Sequence, residues 1–180
     1  MSAIPSLPQI IQDAQTAYRA GDYQAAAVSF DQAAKDYAAQ GDQLACAEMA
    51  NNRSIALLKS GDARAAYQAT EGTEQVFAQA GDKYRQGLAM GNQAAALEAL
   101  HRYAPAVAKY EQAAGLLRET GEKEPLVLTL RSLSALHMRQ FHIFDALIVM
   151  NSALTQQSKL NLGEKLLKRL IGIVIGMIQR

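Results

Sequence analysis

Few side chains in this 180-residue sequence could do chemistry, and their spacing sorts them. Gln12, Asn52, Asn92 and Ser132 recur at an interval of forty residues. An amide offers both a donor and an acceptor, which suits the main chain of an extended peptide. Asparagine is also a poor choice inside a helix, where it competes with the backbone. Its recurrence therefore points to a role beyond helix formation. The three histidines form no catalytic set. His101 lies in a turn, and His142 opens a helix. His137 occupies a column otherwise held by Ala17, Leu57 and Leu97, so it reads as a packed side chain rather than a general base. The His137-x4-His142 pair spans a turn with no carboxylate set around it, so no metal site is expected.

Cys46 is the single cysteine, which excludes an intramolecular disulfide and a cysteine-clustered zinc centre. It lies in an alanine-rich segment and reads as a small buried residue in a reducing compartment. No glycine-rich phosphate loop follows a strand pattern. The net charge is +1 without a long basic or acidic run, which argues against a nucleic-acid surface. These features imply no enzyme, no cofactor and a cytoplasmic protein without a signal peptide.

The elements that must position these side chains follow from a second interval. Every twentieth position from Gly21 gives Gly41, Gly61, Gly81, His101, Gly121, Phe141 and Asn161. Glycine, and less readily histidine and asparagine, accepts the left-handed backbone that ends a helix. Phe141 is the misfit. Asp22, Asp42, Asp62 and Asp82 follow four of the glycines and suit the N-cap of the next helix. The chain thus reads as antiparallel hairpins, with first helices near 7–20, 43–59, 83–99 and 124–139. Their partners fall near 22–39, 62–79, 103–119 and 142–158, and a ninth helix near 162–179. Pro105 and Pro125 fall in first turns, where a missing N–H costs little.

Small residues recur every forty positions: Ala26, Ala66, Ala106 and Ala146; Ala14, Ser54, Ala94 and Ser134; Ala33, Thr73, Ala113 and Ala153. Small side chains at fixed places let the helices of a hairpin approach and let hairpins stack, as in a helical solenoid.

These columns resemble the tetratricopeptide repeat over about residues 6–160. The first repeat carries Ala14, Gly21, Tyr23, Ala26, Phe30 and Ala33. The third carries Ala94, Tyr103, Ala106, Tyr110 and Ala113, with His101 replacing the turn glycine. The second keeps Ser54, Gly61 and Ala66 but departs at Ala63, Thr70 and Thr73. The fourth has Ser134, Ile143, Ala146, Met150 and Ala153. The family's period is about 34 residues. The longer period here implies helices extended by about a turn and a half per repeat.

The resemblance implies an all-α fold, a right-handed α-solenoid of about four helix pairs in 1–160, followed by a C-terminal helix in 161–180. It also implies a concave groove lined by the first helices, holding a peptide or protein partner. Register puts Gln12, Asn52, Asn92 and Ser132 on that groove, with Gln15, Arg19, Asn51, Lys59, Arg131 and Arg139 beside them. Arg19, Lys59 and Arg139 close first helices, where a cation also suits the helix dipole. Arg131 is mid-helix and implies an acidic group on the ligand near the fourth repeat. The stretch NNRSIALLKSGD also resembles co-chaperone repeats that clamp a C-terminal carboxylate. Only Asn52 matches the five clamp positions, the others being Ile11, Gln15, Leu88 and Asn92. One asparagine does not replace three cations at an anion site.

The final stretch, EKLLKRLIGIVIGMIQR, is apolar around most of its circumference. A terminal solenoid helix ordinarily has a polar outer face, so this surface needs cover. Three readings stand. The helix caps the last hairpin. Alternatively, it self-associates through Leu170, Gly172, Ile173, Val174, Gly176 and Met177, making a homo-oligomeric assembly unit. In the third, the same residues touch a membrane surface, helped by Lys165, Lys168 and Arg169. The apolar run is too short to span a bilayer.

Overall fold

The computed structural model describes residues 5–178. Ten α-helices account for nearly all of them: α1 (Leu7–Arg19), α2 (Tyr23–Ala39), α3 (Gln43–Ser60), α4 (Ala63–Thr70), α5 (Thr73–Gln79), α6 (Lys83–Ala99), α7 (Tyr103–Thr120), α8 (Lys123–Arg139), α9 (Ile143–Gln156) and α10 (Leu162–Ile178). Except for α4 and α5, each helix packs on its sequence neighbour. Beyond the hairpins, α3 touches α6, and α6 touches α8. Contacts of this kind between non-adjacent helices are consistent with the packing of a helical repeat array.

The turns are built from local capping. Asp22, Asp42, Asp62 and Asp82 each accept from the backbone N–H three residues on, at 2.9–3.1 Å. One backbone bond recurs at these turns: residues 22, 42, 62, 82, 102 and 142 donate to residues 17, 37, 57, 77, 97 and 137 at 2.9–3.0 Å. His101 and Phe141 both take the left-handed conformation, with φ of 59° and 61°. The turn therefore overrides the side chain at Phe141, whose ring is left 86% exposed. Asn161 differs from expectation. It caps α10 instead of taking a positive φ, in a reciprocal box with Glu164 in which each backbone N–H meets the other's side-chain oxygen at 2.9 Å.

The three small-residue columns are buried in every repeat, none of their members more than 5% exposed. They sit within a chain of local apolar clusters. One joins α1, α2 and α3 around Phe30 and Met49. Another seats Phe77 between α3 and α6. A third packs Leu97, Tyr110, Leu133 and Leu136 among α6, α7 and α8. Gly87 sets the closest approach, since a Cβ there would lie 2.9 Å from Cγ of Leu117.

The helix expected at 62–79 is broken. Glu71 turns extended and Gly72 takes φ 78°, so α4 and α5 are separate. The hydroxyl of Thr70 bonds back to the carbonyl of Tyr67 at 2.8 Å, and that of Thr73 lies 2.9 Å from the carbonyl of Thr70. Such bonds offer the backbone an alternative to the helical ladder, and glycine permits the left-handed step. The displaced α5 is held by the Thr73 hydroxyl, 3.3 Å from Asn51 Oδ1, and by a 2.6 Å ion pair between Glu74 and Lys109 of α7.

Candidate functional site

Where α3, α5 and α6 meet, a cavity of about 390 Å³ is lined by Asn51, Asn52, Ile55, Phe77, Leu88 and Asn92, with Glu48, Tyr84 and Arg85 completing it. A second cavity of about 220 Å³ lies over α6, α7 and α8. It is lined by Leu88, Asn92, Ala95, Tyr110, Leu128 and Ser132, among others. The two share Leu88 and Asn92. Asn52, Asn92 and Ser132 thus border adjoining depressions, each side chain half-buried at an apolar floor. An amide so placed keeps its hydrogen-bonding groups accessible while its surroundings exclude much of the competing water.

A polar string runs beneath the second cavity. Tyr110 donates to Glu98 at 3.1 Å, and Arg139 pairs with Glu98 at 3.4 Å. Burial pushes the Tyr110 hydroxyl well above its ordinary range, and the adjacent Glu98 carboxylate adds to it. The Ser132 hydroxyl and Arg139 act in the opposite direction. Tyr110 therefore stays protonated as a donor, and Arg139 serves this network.

Of the remaining positions singled out in the sequence, Gln12 is exposed on α1 and borders neither cavity. Gln15 and Arg19 border a separate depression of about 210 Å³ with Tyr18 and Phe30, and Arg19 donates to the carbonyl of Gln15 at 3.3 Å. Asn51 is buried and meets Thr73, so much of its work is structural. Lys59 is exposed in the last turn of α3. The acidic group expected beside Arg131 comes from the chain itself. Nη2 of Arg131 donates to Glu164 at 2.6 Å and to Gln157 at 2.7 Å. Arg131 also borders a cavity of about 370 Å³ with Lys123 and Lys159. Tyr84, Arg85, Leu88 and Tyr110 were not singled out as site residues. Their spacing carries no polar recurrence, and Tyr110 reads as core.

The residues of α10 expected to associate are exposed: Leu170 and Ile173 by about half, Val174 by 39% and Met177 by 71%. A Cβ at Gly172 or Gly176 would meet nothing. Among the described residues of this helix Ile171 is the buried side chain, and the helix packs on α9. No helix among the described residues is long and apolar enough to cross a membrane.

One expectation at the histidines is corrected. Asp145, one turn into α9, brings a carboxylate to the pair. A ligand atom from each of His137, His142 and Asp145 lies within 4.8 Å of the others. Cys46 is partly buried, and burial together with nearby Asp42 pushes its thiol up, away from the reactive thiolate.

Fold and site together describe an all-α protein of paired helices with an amide-edged apolar depression across alternate helices. No family model matches the chain, and no curated protein matches it.

Proposed function

We propose that this chain is a non-enzymatic interaction module of tetratricopeptide-like repeats, a right-handed α-solenoid that holds an extended peptide along α3, α6 and α8 in a cytoplasmic setting. The observation that carries this reading is that two adjoining cavities share Asn92, one reaching Asn52 and the other Ser132. Amides bordering an apolar floor suit a ligand whose main chain needs donors and acceptors and whose side chains need cover. Ile55, Leu88 and Leu128 provide that cover.

The test is binding of an extended-peptide library to the intact chain, read by fluorescence polarisation. The double substitution Asn52→Ala with Asn92→Ala removes hydrogen bonds each worth about 0.5–1.5 kcal/mol net. Affinity should fall by roughly tenfold or more, while helicity and melting temperature stay unchanged. Undiminished binding by the double variant would count against the groove.

The exposed face of α10 favours a second reading, in which the chain is an assembly unit. Replacing Leu170 and Ile173 together by lysine should then reduce the mass in solution measured by light scattering. A monomer both before and after substitution would remove this reading.

A further inference from the structure

The turn between α8 and α9 departs from the other turns at three positions that meet in space. The column of His137 otherwise holds Ala17, Leu57 and Leu97. That of His142 holds Asp22, Asp62 and Arg102. That of Asp145 holds Ala25, Ala65 and Pro105. In one repeat alone, an apolar residue has become histidine and a first-turn residue aspartate, with a third metal-binding type, histidine, at the cap between them. The recurrent turn bond, from the N–H of His142 to the carbonyl of His137 at 2.9 Å, puts the two histidines side by side with ring centroids 6.0 Å apart. His142 stands at the N-cap of α9, yet its side chain makes no capping bond. His137 is only 8% exposed, and its Nδ1 is buried with no hydrogen-bond partner. A buried polar atom left unpaired in this way calls for an explanation.

We infer that His137, His142 and Asp145 form a binding site for a divalent transition-metal ion. Two imidazole nitrogens and one carboxylate oxygen suit zinc, nickel or copper rather than calcium or magnesium. Bonds of about 2.0–2.2 Å place tetrahedral ligand atoms about 3.3 Å apart. The three groups already lie within 4.8 Å, so closing the site needs shifts of at most about 1.5 Å. Both His142 and Asp145 are exposed and free to make them, while His137 is held by its packing. Three protein ligands leave a position for water or for a donor from a bound partner. The ion would tie the end of α8 to the start of α9. This site is independent of the peptide groove.

The experiment uses the full chain, without an affinity tag and freed of metal by chelator. Zinc ion is titrated by calorimetry, and cobalt ion is followed by visible absorption. One saturable ion per chain is expected, with a cobalt ligand-field band. His142→Ala and Asp145→Asn should each weaken binding by more than the roughly tenfold seen when only an outer partner is lost. His101→Ala should leave it intact. A readout without substitution is the His137 ring resonances, which should shift on adding zinc. Absence of saturable binding would overturn the site. So would binding that either substitution leaves unchanged, or zinc binding that leaves the His137 resonances unmoved.

Discussion

Phe141 stands where five of the other helix turns carry glycine, and it adopts the same backbone with φ 61°. A side chain in that region costs about 1–2 kcal/mol. Its ring recovers little of this by burial, being 86% exposed. Phe141→Gly should therefore raise the melting temperature by a few degrees in a thermal unfolding scan, offset in part by the greater freedom of glycine in the unfolded chain. A lower melting temperature would mean that the ring makes contacts that outweigh the strain. The turn positions were legible in the sequence because capping is local chemistry: a glycine, an aspartate and a return bond all within a few residues. Asp145 was not recognised as a neighbour of the histidines. Its spacing of three from His142 puts the two on one side of a helix start, but the approach of both to His137 depends on how the turn orients α9.

At the scale of elements, α10 is tied down at its start and packs beyond it through Ile171, with most of its other apolar side chains exposed. Its first turn is locked by the box between Asn161 and Glu164, and Glu164 also receives Arg131 of α8. The backbone N–H of Asn161 and then the Arg131 guanidinium hold the Glu164 carboxyl below its ordinary range. A depressed carboxylate contributes stability that is present above its unfolded value and lost as pH falls through its folded one. Docking of α10 should therefore loosen as the solution is acidified below the usual glutamate range of about 4.3, read as faster proteolysis within 157–164. Glu164→Gln should flatten that dependence. An identical acid profile in both proteins would show that Glu164 is not the group responsible. The helix boundaries were legible through their caps, whereas the break at Glu71–Gly72 was not. An isolated glycine inside a helical pattern is ordinarily tolerated. The bond that holds α5 away from the α4 axis joins Asn51 to Thr73 across 22 residues. The repeated amides gave the groove its candidates, but its floor belongs to Leu88 and Tyr110, which look like core in any one helix.

At the scale of the whole molecule, the apolar interior is a string of clusters, each spanning two or three neighbouring elements. An array of this kind is stabilised by nearest neighbours, so its parts need not open together. The broken helix interrupts the backbone without separating its neighbours, since α3 and α4 both touch α6 across it. Before the break, α4 belongs to the hairpin with α3. After it, α5 is tied back to α3 by Asn51 and forward to α7 by Glu74. Amide hydrogen exchange should therefore show the amides around Glu71 and Gly72 exchanging fastest within 63–79, between better protected amides of α4 and α5. One uniform protection profile across 63–79 would contradict this. The interruption at Gly72 is then a built-in weak point: the place at which the backbone opens, or is cut, first, while the helices packed across it keep their shape.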